Sequence, residues 1–318
     1  MKPYKISVVI CTYNGEKYIE ELMQSILIQS RKADEIIVCD DGSTDSTLVK
    51  IYKMLDEFDG DKKVICNEQR LGVTKNFEKA ITNATGDIVF LSDQDDIWFE
   101  NKIEVMTEIF YKRKDCVLAF SNGQIYENGF KRKTIADLLN VNPAECIKNK
   151  SFYLKRAFIP GTTMAVKREY AISIMPFPKA WIHDGWIAIN AQLYGDIVYV
   201  KKCLMAYRLH NENTIGMNYS FGDKIKSYLK NLPYLEEVRH NMYNRYRYLY
   251  EFQKNRVSDD KYLCELEECI RFWSTTGRIS KKKKCKSLKT IFNNWITGKY
   301  TKYYTGTRGM IRDIISVF

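Results

Sequence analysis

The first 120 residues alternate between buried-strand patterns and amphipathic-helix patterns. Residues 6–11 form a continuous apolar run rich in β-branched side chains, which is typical of a strand covered on both faces. The next apolar residues, from Ile19 to Leu27, recur at helical spacing. The same alternation continues with predicted strands at 35–39, 63–66 and 87–91, each followed by a helical pattern. This order favours an α/β fold with a mostly parallel, Rossmann-like sheet flanked by helices.

The pattern changes after about residue 116. Strands are predicted at 117–126 and 162–166, and residues 196–200 and 203–207 resemble a closing pair of strands. Residues 127–150 resemble a polar loop or small helices, and a helix is expected after His183 and Asp184. From about residue 220 the pattern is helical, aromatic and basic. We therefore predict an α/β domain over residues 1–218 and a helical C-terminal region over residues 219–318.

Positive charge is concentrated at the C-terminal end of the chain. The net charge is +11, but residues 1–220 contain 29 basic and 29 acidic residues, whereas residues 221–318 contain 21 and 10. Basic and aromatic residues interleave between Tyr243 and Phe252, and lysines dominate residues 281–286. This composition suggests an anionic partner, membrane lipid or nucleic acid, although a merely solvated surface would have the same composition.

The cysteines and the apolar runs bear on the compartment. None of the nine cysteines forms a C-x-x-C pair and only three histidines are present, so a zinc site is not expected. Cys11, Cys39 and Cys66 lie in strand patterns and are expected to be buried. An odd number of cysteines without a framework suggests a reducing cytosol. A signal-peptide pattern and an apolar run of about 18 residues are both lacking. We therefore expect a cytoplasmic protein, with peripheral contact to the inner face of the cell membrane as a further hypothesis.

Polar side chains follow three of the predicted parallel strands. They are Thr12, Tyr13 and Asn14 after the first strand, Asp40 and Asp41 after the second, and Asp93 and Asp95 after the fourth. The carboxyl ends of such strands share one edge, where open α/β sheets bind ligands. Crowded carboxylates favour a cation between them, and Mg²⁺ or Mn²⁺ prefers oxygen ligands. The alternative is that these acids serve as ordinary turn residues and helix caps. Neither a dinucleotide fingerprint nor a P-loop is present.

A second polar motif surrounds Asp184. Trp181 and Trp186 flank it, and aromatic rings can stack on sugars while a carboxylate accepts a hydroxyl proton. His183 and Trp186 are therefore candidate acceptor contacts. Asp184 would otherwise be a simple helix N-cap. His210 follows the last predicted strand, and a lone histidine is more often structural than a metal ligand.

Taken together, these motifs resemble family 2 of the glycosyltransferases, which has the GT-A fold. The matching segments are ISVVICTYNG, EIIVCDDGSTDST, the stretch from NEQRLGV to ATGDIVFLSDQDDIW, HDGW and YRLHNENTIG. They occur in the family's order over about residues 4–216. The forms SDQDDIW, HDGW and YRLHNENTIG are similar to those of a rhamnosyltransferase-like branch that builds bacterial surface polysaccharides.

The resemblance implies a role for each matching residue. Thr12, Tyr13 and Asn14 would contact the nucleotide, with Tyr13 near the base. Asp41 would recognise the base and Asp40 would support its turn. Lys75 would lie near the donor. Asp93 and Asp95 match the DxD motif, His210 would complete the metal or diphosphate site, and Asp184 would be the catalytic base. Gly185 departs from the bulkier residue that many relatives carry, which leaves the acceptor pocket in doubt.

The implied reaction is metal-dependent transfer of a sugar, with inversion, from a dTDP- or UDP-sugar to a saccharide acceptor. A lipid-linked saccharide is one candidate acceptor. Rhamnose is the first expectation for the sugar, and hexoses remain open. Three other classes compete with this interpretation. A nucleotidyltransferase would also present acids to a metal and a nucleotide, but the usual Gly- and Lys-rich loop is lacking. An inactive sugar-nucleotide or glycan-binding module would not need Asp93, Asp95 and Asp184. A nucleic-acid binder would leave the acidic strand ends unexplained, so no nucleic-acid partner is expected.

Overall fold

The computed structural model describes residues 3–155, 159–210 and 234–318. Within these residues the chain forms two compact units. One contains residues 3–149 and 159–210, and the other contains residues 150–155 and 234–318. The predicted boundary between residues 218 and 219 lies outside the described residues, as does the end of the YRLHNENTIG motif. The α/β prediction with a C-terminal helical region is confirmed.

Four parallel strands form one half of the sheet and bring the polar strand ends together. They are β1 (Ile6–Thr12), β2 (Glu35–Asp40), β3 (Asp61–Cys66) and β4 (Ile88–Asp93), in the order β3-β2-β1-β4. Thr12 pairs with Asp40, and Cys11 pairs with Asp93. Because every residue of β1 and β2 is buried, the apolar runs of the sequence become the centre of the core.

Helices cover this half of the sheet where helical spacing predicted them. They are α1 (Ile19–Leu27), α2 (Thr47–Leu55), α3 (Val73–Asn83) and α4 (Lys102–Lys112). On α1, Ile19, Leu22, Met23 and Ile26 are buried, which is the side predicted to face the core. The strands and these helices together place the loops that follow β1, β2 and β4 at one edge of the sheet.

The other half of the sheet is mixed. It contains β5 (Ile97–Trp98), β6 (Cys116–Tyr126), β7 (Phe130–Thr134), β8 (Met164–Lys167) and β9 (Asp196–Arg208). The order continues from β4 as β8-β6-β9-β5, and β7 pairs with β6. β8 runs antiparallel to β4 and β6, whereas β9 runs parallel to β6.

The predicted closing pair of strands is wrong, because residues 196–208 form one strand. The register moves from Val200 opposite Ser121 to Cys203 opposite Asn122. Lys201 and Lys202 lie in this irregularity and are both exposed. Two adjacent exposed lysines interrupt the apolar pattern without ending the strand, and this explains the error.

Short helices connect the mixed half. They are α5 (Ile135–Leu139), α6 (Pro143–Cys146), α7 (Lys150–Lys155), which belongs to the second unit, α8 (Arg168–Ser173) and α9 (His183–Tyr194). α9 begins at His183, and the capping position before it is occupied by Ile182. Asp184 is therefore not the N-cap of the helix, which removes the alternative considered for it from the sequence.

The second unit is helical in its described residues. It contains α7 and five further helices: α10 (Leu235–Gln253), α11 (Asp260–Thr276), α12 (Lys284–Ile296), α13 (Lys299–Tyr303) and α14 (Thr307–Ile315). None of the helices described is both long and apolar enough to cross a lipid bilayer. Cys11 and Cys39 are buried as predicted, but Cys66 is exposed because it ends the edge strand β3.

Candidate active site

A cleft of about 490 Å³ opens at the carboxyl ends of β1 and β4. Gly161, in the turn that precedes β8 and lies beside the end of β4, and the first residues of α9 complete its lining. Seven of the residues singled out from the sequence line it: Thr12, Tyr13, Asp41, Asp93, Asp95, His183 and Asp184. The strand-end acids and the HDGW acid therefore share one cavity.

Asp40 organises the turn that follows β2. One carboxylate oxygen accepts the Thr12 hydroxyl at 2.6 Å, and the other accepts the amides of Gly42 and Ser43 at 3.1 and 2.7 Å. Gly42 has a φ of 87°, a left-handed conformation that glycine adopts without steric cost. Asp40 is fully buried and does not line the cleft, so its part in the site is to shape this turn.

Asp41 anchors the loop that leads into α3. Its carboxylate accepts the Asn67 amide at 3.0 Å and the backbone N–H groups of Leu71 and Gly72 at 2.7 and 2.8 Å. The side chain of Asp41 is 5% exposed, so three donors stabilise an otherwise costly buried charge. The arrangement holds the loop against the rim of the cleft.

Two residues that the sequence did not single out contact Tyr13. The Arg70 guanidinium lies 3.7 Å from the centre of the Tyr13 ring, a cation–π contact on a ring that is 37% exposed. The Gln94 side chain accepts the Tyr13 N–H at 2.8 Å and donates to the Tyr13 carbonyl at 3.1 Å. Gln94 is the middle residue of Asp93-x-Asp95, and its reciprocal bonds tie the DxD loop to the loop after β1.

Asn14 and Lys75 lie outside the cleft lining. The Asn14 side chain accepts the Thr44 N–H at 2.9 Å, and its own N–H donates to Ser43, so it joins the turns after β1 and β2. The Lys75 ammonium pairs with both carboxylate oxygens of Glu78 at 2.9 Å on α3. The expected donor contacts of Asn14 and Lys75 stay predictions.

The acids after β4 are crowded and partly removed from water. Burial raises the pKa of Asp93 to about 7, and the charges of Asp95 and Asp184 add to the effect. Asp96 is fully buried, and burial raises its pKa well above the usual range, with Asp95 and Asp93 contributing. Such mutual repulsion is relieved when a cation lies among the carboxylates.

The residues around Asp95 suit a divalent cation. The Nε2 atom of His210 lies 2.6 Å from a carboxylate oxygen of Asp95, and the His210 ring stacks on Tyr18. Arg208 donates to the Asp95 backbone carbonyl at 2.9 Å, and this bond fixes the backbone of the loop. Carboxylate oxygens suit both Mn²⁺ and Mg²⁺, and an imidazole nitrogen suits the transition metal Mn²⁺ better than the harder Mg²⁺. Among the described residues, no three His, Cys, Asp or Glu side chains are grouped closely enough to form a metal site by themselves.

A buried lysine, Lys102, binds the turn that precedes β8. The Lys102 ammonium donates to the Thr162 carbonyl at 2.6 Å and lies 3.8 Å from the centre of the Trp98 ring. Burial lowers the pKa of Lys102 to about 7, and the charges of Asp96 and Asp93 oppose that effect. Lys102 is fully buried at the start of α4, a position that a lysine rarely takes without partners.

Asp184 and His183, at the start of α9, also line the cleft. Asp184 is partly exposed in the cleft, and its carboxylate accepts the Gly185 N–H at 2.5 Å. The His183 ring is 4% exposed and stacks on Phe77 with ring centres 3.9 Å apart. Burial lowers the pKa of His183, so the ring is neutral near pH 7. A Cβ atom at Gly161 would lie 2.6 Å from the His183 Nε2 atom, so glycine is required there.

The prediction that Trp186 contacts the acceptor is wrong in this geometry. Trp186 is fully buried, and its indole N–H donates to the Ile174 carbonyl at 2.9 Å. Trp181 is also buried, with its ring centre 5.8 Å from that of Trp186. Both rings belong to the core behind α9. The exposed apolar side chain of this segment that lines the cleft is Ile182.

The fold and the acid-lined cleft at the strand ends define a glycosyltransferase of the GT-A class. The family model described as glycosyl transferase family 2 matches residues 7–175, and the chain belongs to that family. The dTDP-rhamnosyl transferase RfbG of Shigella flexneri is 30% identical over 248 residues, which cover 72% of this chain and 82% of the relative. The putative teichuronic acid biosynthesis glycosyltransferase TuaG of Bacillus subtilis is 34% identical and covers 67% and 82%. The chain is thus related to enzymes of bacterial polysaccharide synthesis.

A third relative and one solved structure complete the comparison. The Escherichia coli enzyme WfgD, a UDP-Glc:alpha-D-GlcNAc-diphosphoundecaprenol beta-1,3-glucosyltransferase, is 31% identical over 59% of this chain and 71% of its own. A crystal structure of S. aureus TarS in complex with UDP-GlcNAc superimposes with a TM-score of 0.63 at 16% identity. It covers 98% of this chain and 90% of that one. This likeness confirms the GT-A fold.

Proposed function

We propose that the protein transfers a sugar, with inversion, from a nucleoside-diphosphate sugar to a hydroxyl group of a saccharide acceptor. The observation that carries this proposal is the shared cleft of Asp184 with Asp93 and Asp95. The charges of Asp95 and Asp184 both raise the pKa of Asp93, so the three carboxylates are close enough to interact. A base and a metal-binding pair in one cleft would meet the two requirements of the reaction.

In this mechanism Asp184 accepts the proton of the acceptor hydroxyl as its oxygen bonds to the anomeric carbon. The bond from that carbon to the diphosphate breaks on the opposite side, and its electron pair leaves with the diphosphate. Asp93 and Asp95, with His210, would hold a Mn²⁺ or Mg²⁺ ion, which stabilises the negative charge of a leaving diphosphate. Tyr13 and Arg70 also line the cleft, and the exposed Tyr13 ring would stack on the nucleobase.

The relatives favour particular substrates. The name of the Shigella enzyme supports dTDP-rhamnose as the donor, and the name of the Escherichia enzyme supports UDP-glucose as its main competitor. The same Escherichia name supports an acceptor carried on a lipid diphosphate. The product would then be a bacterial surface polysaccharide, a role consistent with the TuaG name.

A thermal-shift screen with dTDP, UDP, GDP and CDP, with and without Mn²⁺, tests the donor site. A ligand at about 100 times its Kd stabilises the folded state by roughly 2.7 kcal/mol. We expect a metal-dependent shift that is largest with dTDP. A shift with UDP alone would replace rhamnose by a hexose, and no shift with any nucleotide would contradict the proposal.

The variant Asp184→Asn tests the base. Sugar transfer should fall by roughly 10²–10⁴-fold, because the amide cannot accept the hydroxyl proton. Nucleotide binding should persist, because the amide keeps the size of the carboxylate and the proposed role of Asp184 is toward the acceptor, not the nucleotide. Transfer at the wild-type rate would show that Asp184 is not the base. Donor binding without transfer in the wild type would instead favour a binding module.

A further inference from the structure

Helix α12 in the second unit has its large apolar side chains on the outside. Phe292, Trp295 and Ile296 are 58%, 46% and 61% exposed. The buried side of the same helix contains Ser287 and Asn294 as well as Ile291. Ser287 exchanges two hydrogen bonds with the backbone of Ser280, so its burial is satisfied within the unit. The usual arrangement of an amphipathic helix on a soluble core is therefore reversed over much of α12.

The exposed apolar residues of α12 lie on one side. At about 100° per residue, positions 285, 288, 292, 295 and 296 fall within an arc of about 100°. Lys289 and Lys286 follow directly on one edge of that arc, and Lys284 lies on the other edge. All three lysines are exposed. An apolar stripe with lysines at both edges is the arrangement of a helix that lies in a membrane interface.

A second apolar stripe adjoins the first. Ile311 and Ile315 of α14 are 47% and 39% exposed at a spacing of four residues, and Phe318 just beyond the helix is 67% exposed. The Lys284 ammonium lies 5.1 Å from the centre of the Phe318 ring. This contact brings the end of the second stripe to the edge of the first. We call the combined surface the α12–α14 face, formed by Phe292, Trp295, Ile296, Ile311, Ile315 and Phe318 with the flanking lysines.

The segment that forms the α12–α14 face is strongly basic. Residues 278–318 contain eleven Lys and Arg residues and a single acidic residue, Asp313. Asp313 is buried and bonds to Arg239 at 2.7 Å, so it does not reduce the positive charge of the surface. The basic and aromatic segment singled out from the sequence behaves differently. Tyr246 is buried there and donates to the Leu154 carbonyl, within the core of the unit.

We infer that the α12–α14 face docks the protein on an anionic lipid membrane. The lysines match anionic headgroups, and the exposed Phe, Trp and Ile side chains can enter the interface below them. A second copy of the chain fits less well, because a two-fold interface would set these lysines against one another without acids to pair them. Nucleic acid would attract the lysines but would offer no apolar surface for Ile296, Ile311 and Ile315.

Vesicle cosedimentation of the full chain tests the inference. The vesicles contain phosphatidylglycerol and phosphatidylcholine in equal amounts, with pure phosphatidylcholine vesicles for comparison. We expect binding to the anionic vesicles that weakens as salt is added. Lys286→Gln and Lys289→Gln should each lower the partition coefficient about fivefold. The double variant Phe292→Ser and Trp295→Ser should lower it by at least about tenfold, because apolar area no longer enters the interface.

A matched control removes exposed apolar side chains from another part of the same unit. Tyr234 and Val238 are 58% and 40% exposed and lie at the start of α10, so their double change to Ser should leave binding intact. Circular dichroism and thermal melting establish that both double variants are folded. Equal binding by the Phe292/Trp295 variant and the wild type would overturn the inference. So would a lack of wild-type binding, or equal binding to neutral vesicles.

Two further measurements exclude the other occupants. A concentration-dependent oligomer that the Phe292/Trp295 variant abolishes would assign the face to a second copy and overturn the inference. Binding to single-stranded RNA that the same variant abolishes would overturn it in favour of nucleic acid. The inference does not depend on the proposed transfer reaction, because Asp184→Asn should bind vesicles like the wild type. Likewise, the Phe292/Trp295 variant should keep the nucleotide-induced thermal shift.

Discussion

The ammonium group of Lys102 lies 2.6 Å from the carbonyl oxygen of Thr162, and this hydrogen bond joins the start of α4 to the turn that precedes β8. Lys102 follows the acidic loop and β5 in the chain, and Thr162 lies in the turn beside His183. Both residues are fully buried. The turn next to His183 is therefore held by a side chain from the segment that follows the acidic loop.

Replacing Lys102 with Met should loosen that link. The Thr162 carbonyl would be left buried without its donor, which costs about 1–3 kcal/mol of unfolding free energy. The turn would no longer be fixed, so we expect a higher KM for the acceptor and a lower kcat, with a smaller change in nucleotide affinity. Urea denaturation and transfer kinetics measure these effects. Lys112→Met is the control on the same helix, since its side chain is 69% exposed and should matter little. An unchanged acceptor KM in Lys102→Met would show that Lys102 does not position this turn for acceptor binding.

The raised pKa of Asp93 predicts how metal affinity depends on pH. The carboxyl must lose its proton to bind a cation, and its pKa is about 7. Affinity for Mn²⁺ should therefore rise with pH and level off above about pH 7. Below about pH 6 it should fall by up to tenfold for each pH unit, because one proton is displaced. Calorimetric titration at several pH values measures this. Asp93→Asn should bind Mn²⁺ more weakly and with a flatter profile, and a flat wild-type profile would contradict the prediction.

The same group makes the metal-free protein less stable as the pH rises. Between about pH 4 and about pH 7 the folded chain keeps the Asp93 proton, whereas the unfolded chain releases it. The contribution of Asp93 to the unfolding free energy is therefore present at low pH and is lost as the pH passes through about 7. Thermal melting at several pH values should give two curves of melting temperature against pH, one with Mn²⁺ and one without. We expect these two curves to separate as the pH increases. Curves that stay parallel would argue against a cation at Asp93.

Replacing Gly161 with Ala should disturb His183. The added Cβ would lie 2.6 Å from Nε2 of His183, a ring that cannot retreat because it stacks on the buried Phe77. We expect a loss of about 1–3 kcal/mol in unfolding free energy and a lower transfer rate. In a His183→Ala background the same substitution should cost only a few tenths of a kcal/mol, since its obstacle is gone. Additive effects of the two substitutions would contradict this contact.

The second unit depends on a buried ion pair. Arg239 donates to Asp313 at 2.7 Å, and the Tyr300 hydroxyl donates to the other oxygen of Asp313 at 2.6 Å. Asp313→Ala would leave a buried guanidinium unpaired, which costs about 3–5 kcal/mol. Denaturant unfolding measures this loss. Glu251→Ala is the control, because it breaks an exposed pair with Lys254 and should cost less than about 1 kcal/mol. A loss below about 1 kcal/mol in Asp313→Ala would be inconsistent with the buried pair.

The strand ends were the most predictable part of the site. Apolar runs such as residues 6–11 have few alternatives to a buried strand, and each ends at a polar residue. Because parallel strands share a direction, Thr12, Asp41 and Asp93 had to reach one edge, and they line one cleft. The order of the motifs indicated the family and added Asp184 as a further candidate site residue. These parts depend on local pattern and topology, which a sequence displays directly.

The parts that sequence patterns did not predict depend on tertiary contacts. Lys102 in an otherwise polar segment resembles an exposed helix start, and only its packing against Trp98 shows that it is buried. From the sequence, Trp181 and Trp186 are expected to stack on a sugar. The structure instead buries both rings in the core. Arg70 lies far along the chain from Tyr13, so their contact depends on the loop that Asp41 anchors. Side-chain orientation at such positions is set by neighbours distant in sequence.

Gln94 binds only the backbone of Tyr13, through its N–H and its carbonyl. The side chain at position 13 can therefore change without breaking the link to the acidic loop. Under the proposed function, the Tyr13 ring would set the nucleobase preference separately from the placement of Asp93 and Asp95. A substitution at that one exposed ring would then change the donor without moving the two carboxylates.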